Sequence, residues 1–328
     1  MSGLLKWALG ALAAAAVAVL PSAPASSQAA AQGWPTQRVT IVVPFGAGSV
    51  TDILARIFAD EMTRKWGQQV IVENRPGLAG TAGVAKAAPD GYTLMVTSNG
   101  HTVSGLVSKD APFDPVRDFA GITRLGSAPL FLIAFPGTPV KTVKDVIELA
   151  KKEPGKLNFS SPGLASTTFI AGALFRKAAG INIVHVPFRS APDAVTAVLR
   201  GDAQFYFAPV NLARDQAEAG KVTAIAAATA KRMPELPNTP TFTEAGLPFV
   251  YDSWFGLMAP HGVPKPILEK ISKDWAEALK APDMQAKIKG QFLVGVTDTP
   301  EAMDKIVKEE TANLTEVFKE AGITTSQK

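Results

Sequence analysis

The spacing of apolar residues along this chain switches repeatedly between two periods, and that alternation constrains the fold more than any other feature. Residues 39–43 are a continuous apolar run, and after the turn Pro44-Phe45-Gly46-Ala47-Gly48 the period becomes helical at Ile53, Leu54, Ile57 and Phe58. Ser49 with Asp52 three residues later resembles a capping box, which starts the helix where the glycine turn ends. A strand follows at 69–72, Pro76-Gly77 breaks it, a short helix runs to Ala88, and Pro89-Asp90-Gly91 turns into a strand at 92–96. The order so far is βαβαβ.

The second half repeats the alternation. Strands are expected at 130–135, 157–160, 183–186, 204–207, 224–228 and 254–258. Helices are expected after Thr142, which pairs with Asp145 as a cap, and over 166–179 and 192–199. The tail is helical, with Ile267, Ile271 and Trp275 on one stripe and Met303, Val307, Leu314, Val317 and Phe318 on another. These stripes read as core. At 328 residues the chain is long for one core and two domains are expected. The fold class is therefore α/β, and nearly continuous apolar strands predict parallel-dominated sheets covered on both faces by helices.

Residues 1–31 read as an export signal. Lys6 precedes an apolar stretch at 7–20 that is shorter than the roughly 20 residues a membrane-crossing helix needs, and small residues follow up to Ala31. The chain that remains is expected in the periplasm, without a lipid anchor, because it has no cysteine to carry one. The lack of cysteine also excludes disulfides and thiolate chemistry. The net charge of +4 is mild and its lysines and arginines are scattered, so nucleic acid is not an expected partner.

No enzyme signature is complete. Gly46-Ala47-Gly48 has two glycines of a dinucleotide fingerprint and lacks the third, no P-loop lysine follows, and there is no G-x-S-x-G elbow. His101, His185 and His261 stand too far apart for a metal-site pair, so neither metal nor cofactor is expected. His185 reads as a structural histidine inside an apolar strand.

In open α/β sheets ligands sit beyond the strand C-termini, so the loops there are the candidate site. Four are rich in donors and small residues: Phe45, Gly46, Ala47, Gly48 and Ser49 in the first; Ser98, Asn99, His101 and Thr102 in the second; Ser160, Ser161, Ser166 and Thr167 in the third; Pro187, Phe188, Arg189 and Ser190 in the fourth. Three of them lead into a helix N-terminus, which attracts anions. If all four converge on one cleft, they suit a small anion held between two closing lobes. Arg189 reads equally as a clamp on that ligand or as a surface ion-pair partner. Phe188 and Trp254 are aromatic candidates for the cleft wall.

The stretch 43–52, Val-Pro-Phe-Gly-Ala-Gly-Ser-Val-Thr-Asp, resembles the opening motif of the Bug family, receptors of tripartite tricarboxylate transporters. The resemblance continues through Val72-Glu73-Asn74-Arg75-Pro76-Gly77, Pro89-Asp90-Gly91-Tyr92-Thr93-Leu94, His185-Val186-Pro187-Phe188-Arg189 and Ser253-Trp254-Phe255-Gly256-Leu257. It implies a two-domain periplasmic binding fold of the Venus-flytrap type, with lobe 1 made of 34–135 plus 252–328 and lobe 2 of 136–251. It also implies a carboxylate ligand held by backbone N–H groups, hydroxyls and water in place of a dedicated arginine, a membrane permease as partner, and a monomer. Ser49, Ala165, Phe169 and Phe188 depart from the residues frequent in that family, and the last three are expected to make the face of lobe 2 more apolar. Two other functions stay open on sequence: a sensory receptor signalling through a membrane sensor, and an exported hydrolase using Ser160, Ser161 or Ser166.

Overall fold

A computed structural model describes residues 33–108 and 111–320. The expected export segment lies outside the described residues. β1 (Val39–Val43), β2 (Val70–Asn74), β3 (Thr93–Ser98), β4 (Phe119–Ser127), β10 (Trp254–Pro260) and β11 (Val294–Gly295) form one sheet in the order β11-β4-β10-β3-β1-β2. β5 (Leu130–Ala134), β6 (Asn158–Ser161), β7 (Val184–Pro187), β8 (Phe205–Pro209) and β9 (Thr223–Ala227) form a second in the order β7-β6-β8-β5-β9.

The sheets are mixed, which corrects the expectation of parallel-dominated ones. β1 runs parallel to β2 and β3, and β6 parallel to β7 and β8. β10 runs antiparallel to β3 and β4, and β5 antiparallel to β8 and β9. The reason is the double crossing between sheets. The chain leaves the first sheet at the end of β4, enters the second through β5, and returns through 251–253 into β10. Phe255 pairs with Ser98 and Leu130 with Pro209, so each crossing strand starts where its neighbours end. The C-terminal ends of β1 and β3 consequently face those of β6 and β8. β5, expected in the first lobe, belongs to the second sheet.

Helices cover both faces of each sheet. On one face of the first, Leu54, Phe58 and Met62 of α1 (Val50–Trp66) pack with Ile271 and Trp275 of α8 (Lys265–Ala278) against Val39, Ile41 and Leu257. On the other, Val84 of α2 (Leu78–Ala85) meets Val42, Met95 and Met258. The second sheet is covered by α4 (Val143–Lys152) and α5 (Thr167–Ala179) on the Leu132 and Phe207 face. α6 (Ala191–Arg200) and α7 (Val210–Glu218) cover the Phe131 and Tyr206 face. Burying each large apolar side chain contributes about 1.5–3 kcal/mol.

α10 (Pro300–Glu320) spans 21 residues, about 32 Å at 1.5 Å per residue. Its Met303 and Val307 lie in the core of the first sheet, whereas Leu314, Val317 and Phe318 lie in that of the second. The helix expected in lobe 1 alone therefore straddles both halves. α3 (Gly100–Val107), α7, α9 (Pro282–Lys289), β4 and β11 are elements that the apolar pattern does not announce. No helix among the described residues is long and apolar enough to cross a membrane.

Candidate functional site

The first loop joins β1 to α1, with Gly46, Ala47 and Gly48 exposed and Gly48 at φ +79°, a conformation that favours glycine. Ser49 is the N-cap and its hydroxyl accepts the Asp52 N–H at 3.2 Å. Asp52 does not complete a capping box. Its carboxylate accepts the Gly48 N–H at 2.9 Å, Arg56 Nε at 3.1 Å and Asn74 Nδ2 at 2.9 Å, and Asn74 Nδ2 also donates to Phe45 O. Burial pushes the Asp52 carboxyl up, but the donors from Arg56, Gly48 and Asn74 outweigh it and hold it below its ordinary value. The N–H groups of Gly46 and Ala47 have no hydrogen-bond acceptor among the described residues.

The second loop, after β3, winds directly into α3. Asn99 is fully buried and its Nδ2 donates to Glu310 Oε1 at 2.8 Å and to Asp252 O at 3.2 Å, so its amide faces α10. Trp254 Nε1 donates to the other Glu310 oxygen at 2.5 Å, which places that indole on the crossing side and not on the cleft wall. The Thr102 hydroxyl donates to Asn99 O at 2.7 Å. His101 Nε2 lies 2.9 Å from Pro115 O and its ring packs against Phe113 and Phe119. A carbonyl only accepts, so Nε2 carries the proton. Burial pushes the imidazole down to about 4, and it is neutral.

In the third loop the serines are already engaged. Ser160 Oγ donates to Ala194 O at 2.8 Å, and Ser166 caps α5 by accepting the Phe169 N–H at 3.1 Å. Ser161 Oγ lies 2.7 Å from His185 Nε2 and also accepts the Gly163 N–H. A serine–histidine pair invites a hydrolytic reading, yet Ser161 is wholly buried, and burial first, then the positive Arg176, pushes His185 down to about 4. An orienting carboxylate is what a triad needs, and the charged neighbour here has the opposite sign. Thr167, half-buried, is the first residue of α5. Phe169 is buried against Phe318 of α10, with ring centroids 5.5 Å apart, and so belongs to the core, not to the lobe's face.

The fourth loop lies beside the third, with the Phe188 N–H donating to Ser161 O at 2.8 Å. Phe188 leans half-buried on the core beneath α6, Pro187 and Arg189 are exposed, and Ser190 caps α6 by accepting the Asp193 N–H.

Three of the four loops line one cavity of about 300 Å³: Pro44 and Phe45 from the first, Thr97, Gly100 and His101 from the second, and Ala165 from the third. Gly77, Leu78, Thr81, Ser104, Val107, Ser108 and Phe113 complete its wall. The halves touch there so closely that a Cβ on Gly100 would stand 2.5 Å from Ala165 O. Of the candidate residues only Phe45 and His101 line this cavity; Gly46, Ala47, Gly48, Ser49, Ser98, Asn99, Thr102, Ser160, Ser161, Ser166, Thr167 and residues 187–190 do not. Larger hollows lie away from these loops, such as a groove of about 760 Å³ between β4 and α10. Among the described residues no group of three or more His, Asp or Glu is placed to hold a metal ion.

Two helix-covered sheets joined by paired crossings, with strand C-termini facing each other across a cavity, define the class of two-lobed periplasmic binding proteins. Solved members superpose on this chain. Rpa4515 of Rhodopseudomonas palustris, solved with adipate, is 31% identical with a TM-score of 0.72, over 89% of this chain and 99% of that one. MatC of the same organism, solved with bound malate, is 30% identical with a TM-score of 0.69, over 87% of this chain and 99% of that one. A UPF0065 protein from the tcbD-tcbE intergenic region of Pseudomonas sp. (strain P51) is 32% identical over 283 residues, 85% of this chain and 84% of the relative. The signature of the tripartite tricarboxylate transporter family receptor matches residues 54–323. The chain belongs to this receptor family, and Bug proteins are among its relatives. Its family and neighbours are solute-binding proteins, not enzymes.

Proposed function

We propose that this chain is an exported receptor that captures a small organic carboxylate between its two lobes in the periplasm and delivers it to the permease of a tripartite tricarboxylate-type transporter. The observation that carries the reading is the cavity where loops of the first sheet meet Ala165 of the second. Adipate and malate in similar proteins support a carboxylate as ligand. The lobes divide at the crossings, near 128–129 and 252–253. The carboxylate sits against the first loop, where the Gly46 and Ala47 N–H groups are free and the first turn of α1 adds its dipole. Most hydroxyls of the four loops serve caps and buried hydrogen bonds, so backbone N–H groups and water carry the recognition. Each charge-assisted hydrogen bond contributes roughly 1.5–3 kcal/mol. Closure excludes water and strengthens every one of them.

Thermal unfolding in the presence of aliphatic, acidic amino and aromatic acids tests this. A bound acid at 100 times its dissociation constant should stabilise the chain by about 2.7 kcal/mol. No shift with any class of acid would contradict the receptor reading.

A further inference from the structure

The cavity shared by the loops is chemically lopsided. Its wall is mainly apolar, from Pro44, Phe45, Leu78, Val107, Phe113 and Ala165, and its polar side chains besides His101 are the hydroxyls of Thr81, Thr97, Ser104 and Ser108. No charged side chain among the described residues lines it. The one titratable group there, His101, is neutral, and its Nε2 is committed to Pro115 O. The Ser104 hydroxyl is likewise committed, donating to His101 O at 2.7 Å. Donors for an anion lie at the exposed rim, on the Gly46 and Ala47 N–H groups, and the cavity itself offers only uncharged ones, the hydroxyls of Thr81, Thr97 and Ser108. A second carboxylate, as in adipate or malate, entering this hollow would lose its water and meet no cation among the described residues. An apolar group would lose nothing. At about 300 Å³ the space is at the small end of ligand pockets and admits a ring or a branched chain.

We infer that the ligand is a monocarboxylate with an apolar body, an aryl or branched-alkyl acid whose carboxylate meets the Gly46–Ala47 turn while its hydrocarbon part packs on Phe45, Leu78 and Phe113. This inference rests on the carboxylate-receptor reading and narrows it to one ligand class. Aryl and branched-alkyl monoacids then bind through one charged end. The selectivity of the site comes from what its inner wall refuses.

Calorimetric titration of the exported chain, dialysed free of small molecules, with phenylacetate, 4-methylpentanoate, adipate, malate and citrate tests it. The monocarboxylates should bind at least tenfold more tightly than the three polycarboxylates. Leu78→Lys, a half-exposed position in the first turn of α2, should weaken phenylacetate at least tenfold and adipate less, because it places a cation beside the apolar wall. Adipate, malate or citrate binding more tightly than the monoacids would overturn the inference and leave the receptor reading standing. Tight phenylacetate binding that is unchanged in Leu78→Lys would also overturn it, by removing the body from this cavity. No binding by any of the five acids would overturn both.

Discussion

Asp52 fixes the first loop through a backbone N–H and two side chains, and its own side chain is almost fully buried. Asp52→Ala leaves those donors without an acceptor, and should cost about 1–3 kcal/mol of stability and weaken ligand affinity. Chemical denaturation and calorimetry on the variant measure both effects. His101 sets a pH limit. Its folded value of about 4 lies below the ordinary 6.5, so its contribution to stability is complete above pH 6.5 and is lost as pH falls towards 4. That loss is on the order of 2–4 kcal/mol for one group. His101→Gln keeps a donor for Pro115 O, and its unfolding free energy should fall less steeply between pH 6.5 and 4. Ser49, Ser166 and Ser190 show where sequence stops short at this level, because a helix cap and a ligand donor call for the same residue types. Only coordinates distinguish them. Asp52 and Asn74 stood in motifs that the sequence already displayed, yet their common purpose required knowing that β1 and β2 are adjacent.

α10 joins the two halves, and Glu310 sits near its middle, receiving Trp254 from a crossing strand and Asn99 from the second loop. Burial pushes the Glu310 carboxyl up to about 7, against the two hydrogen bonds and with help from the nearby Asp252. An acid whose folded value exceeds its ordinary 4.5 favours the fold at low pH and loses that contribution as pH rises through about 7. The cost of ionising it is on the order of 2–4 kcal/mol. Glu310→Gln cannot ionise, so the decline in stability between pH 5 and 8 should flatten in denaturant titrations of the variant. A decline as steep as in the unsubstituted chain would contradict this role. The amphipathic stripe of α10 was legible from its 3.6-residue spacing. That its two ends serve different cores was not, since a stripe shows which face is buried and not against what. The apolar pattern does not announce β4 because Thr123 and Arg124 interrupt its run, and the structure explains both: Thr123 Oγ1 accepts the Asp298 N–H, and Arg124 pairs with Asp298 and Asp252.

The double crossing makes two independently cored halves into one device. Strand direction decides where the loops point: β5 and β10 enter their sheets from the crossing side, which turns the C-termini of β1, β3, β6 and β8 towards a common gap. Alternating periods along the sequence were enough to predict α/β layers, but an apolar run carries no record of its direction, so the antiparallel crossings were invisible there. Convergence of the loops on one cavity thus belongs to the topology as much as to any motif. The most direct measurement pairs one substitution from each half, Ala47→Glu and Ala165→Glu, both at exposed positions, and compares carboxylate affinity by calorimetry after circular dichroism has verified folding. Each should weaken the best-binding acid about a hundredfold or more, some 2.7 kcal/mol. Full affinity in either variant would mean that only one half holds the ligand.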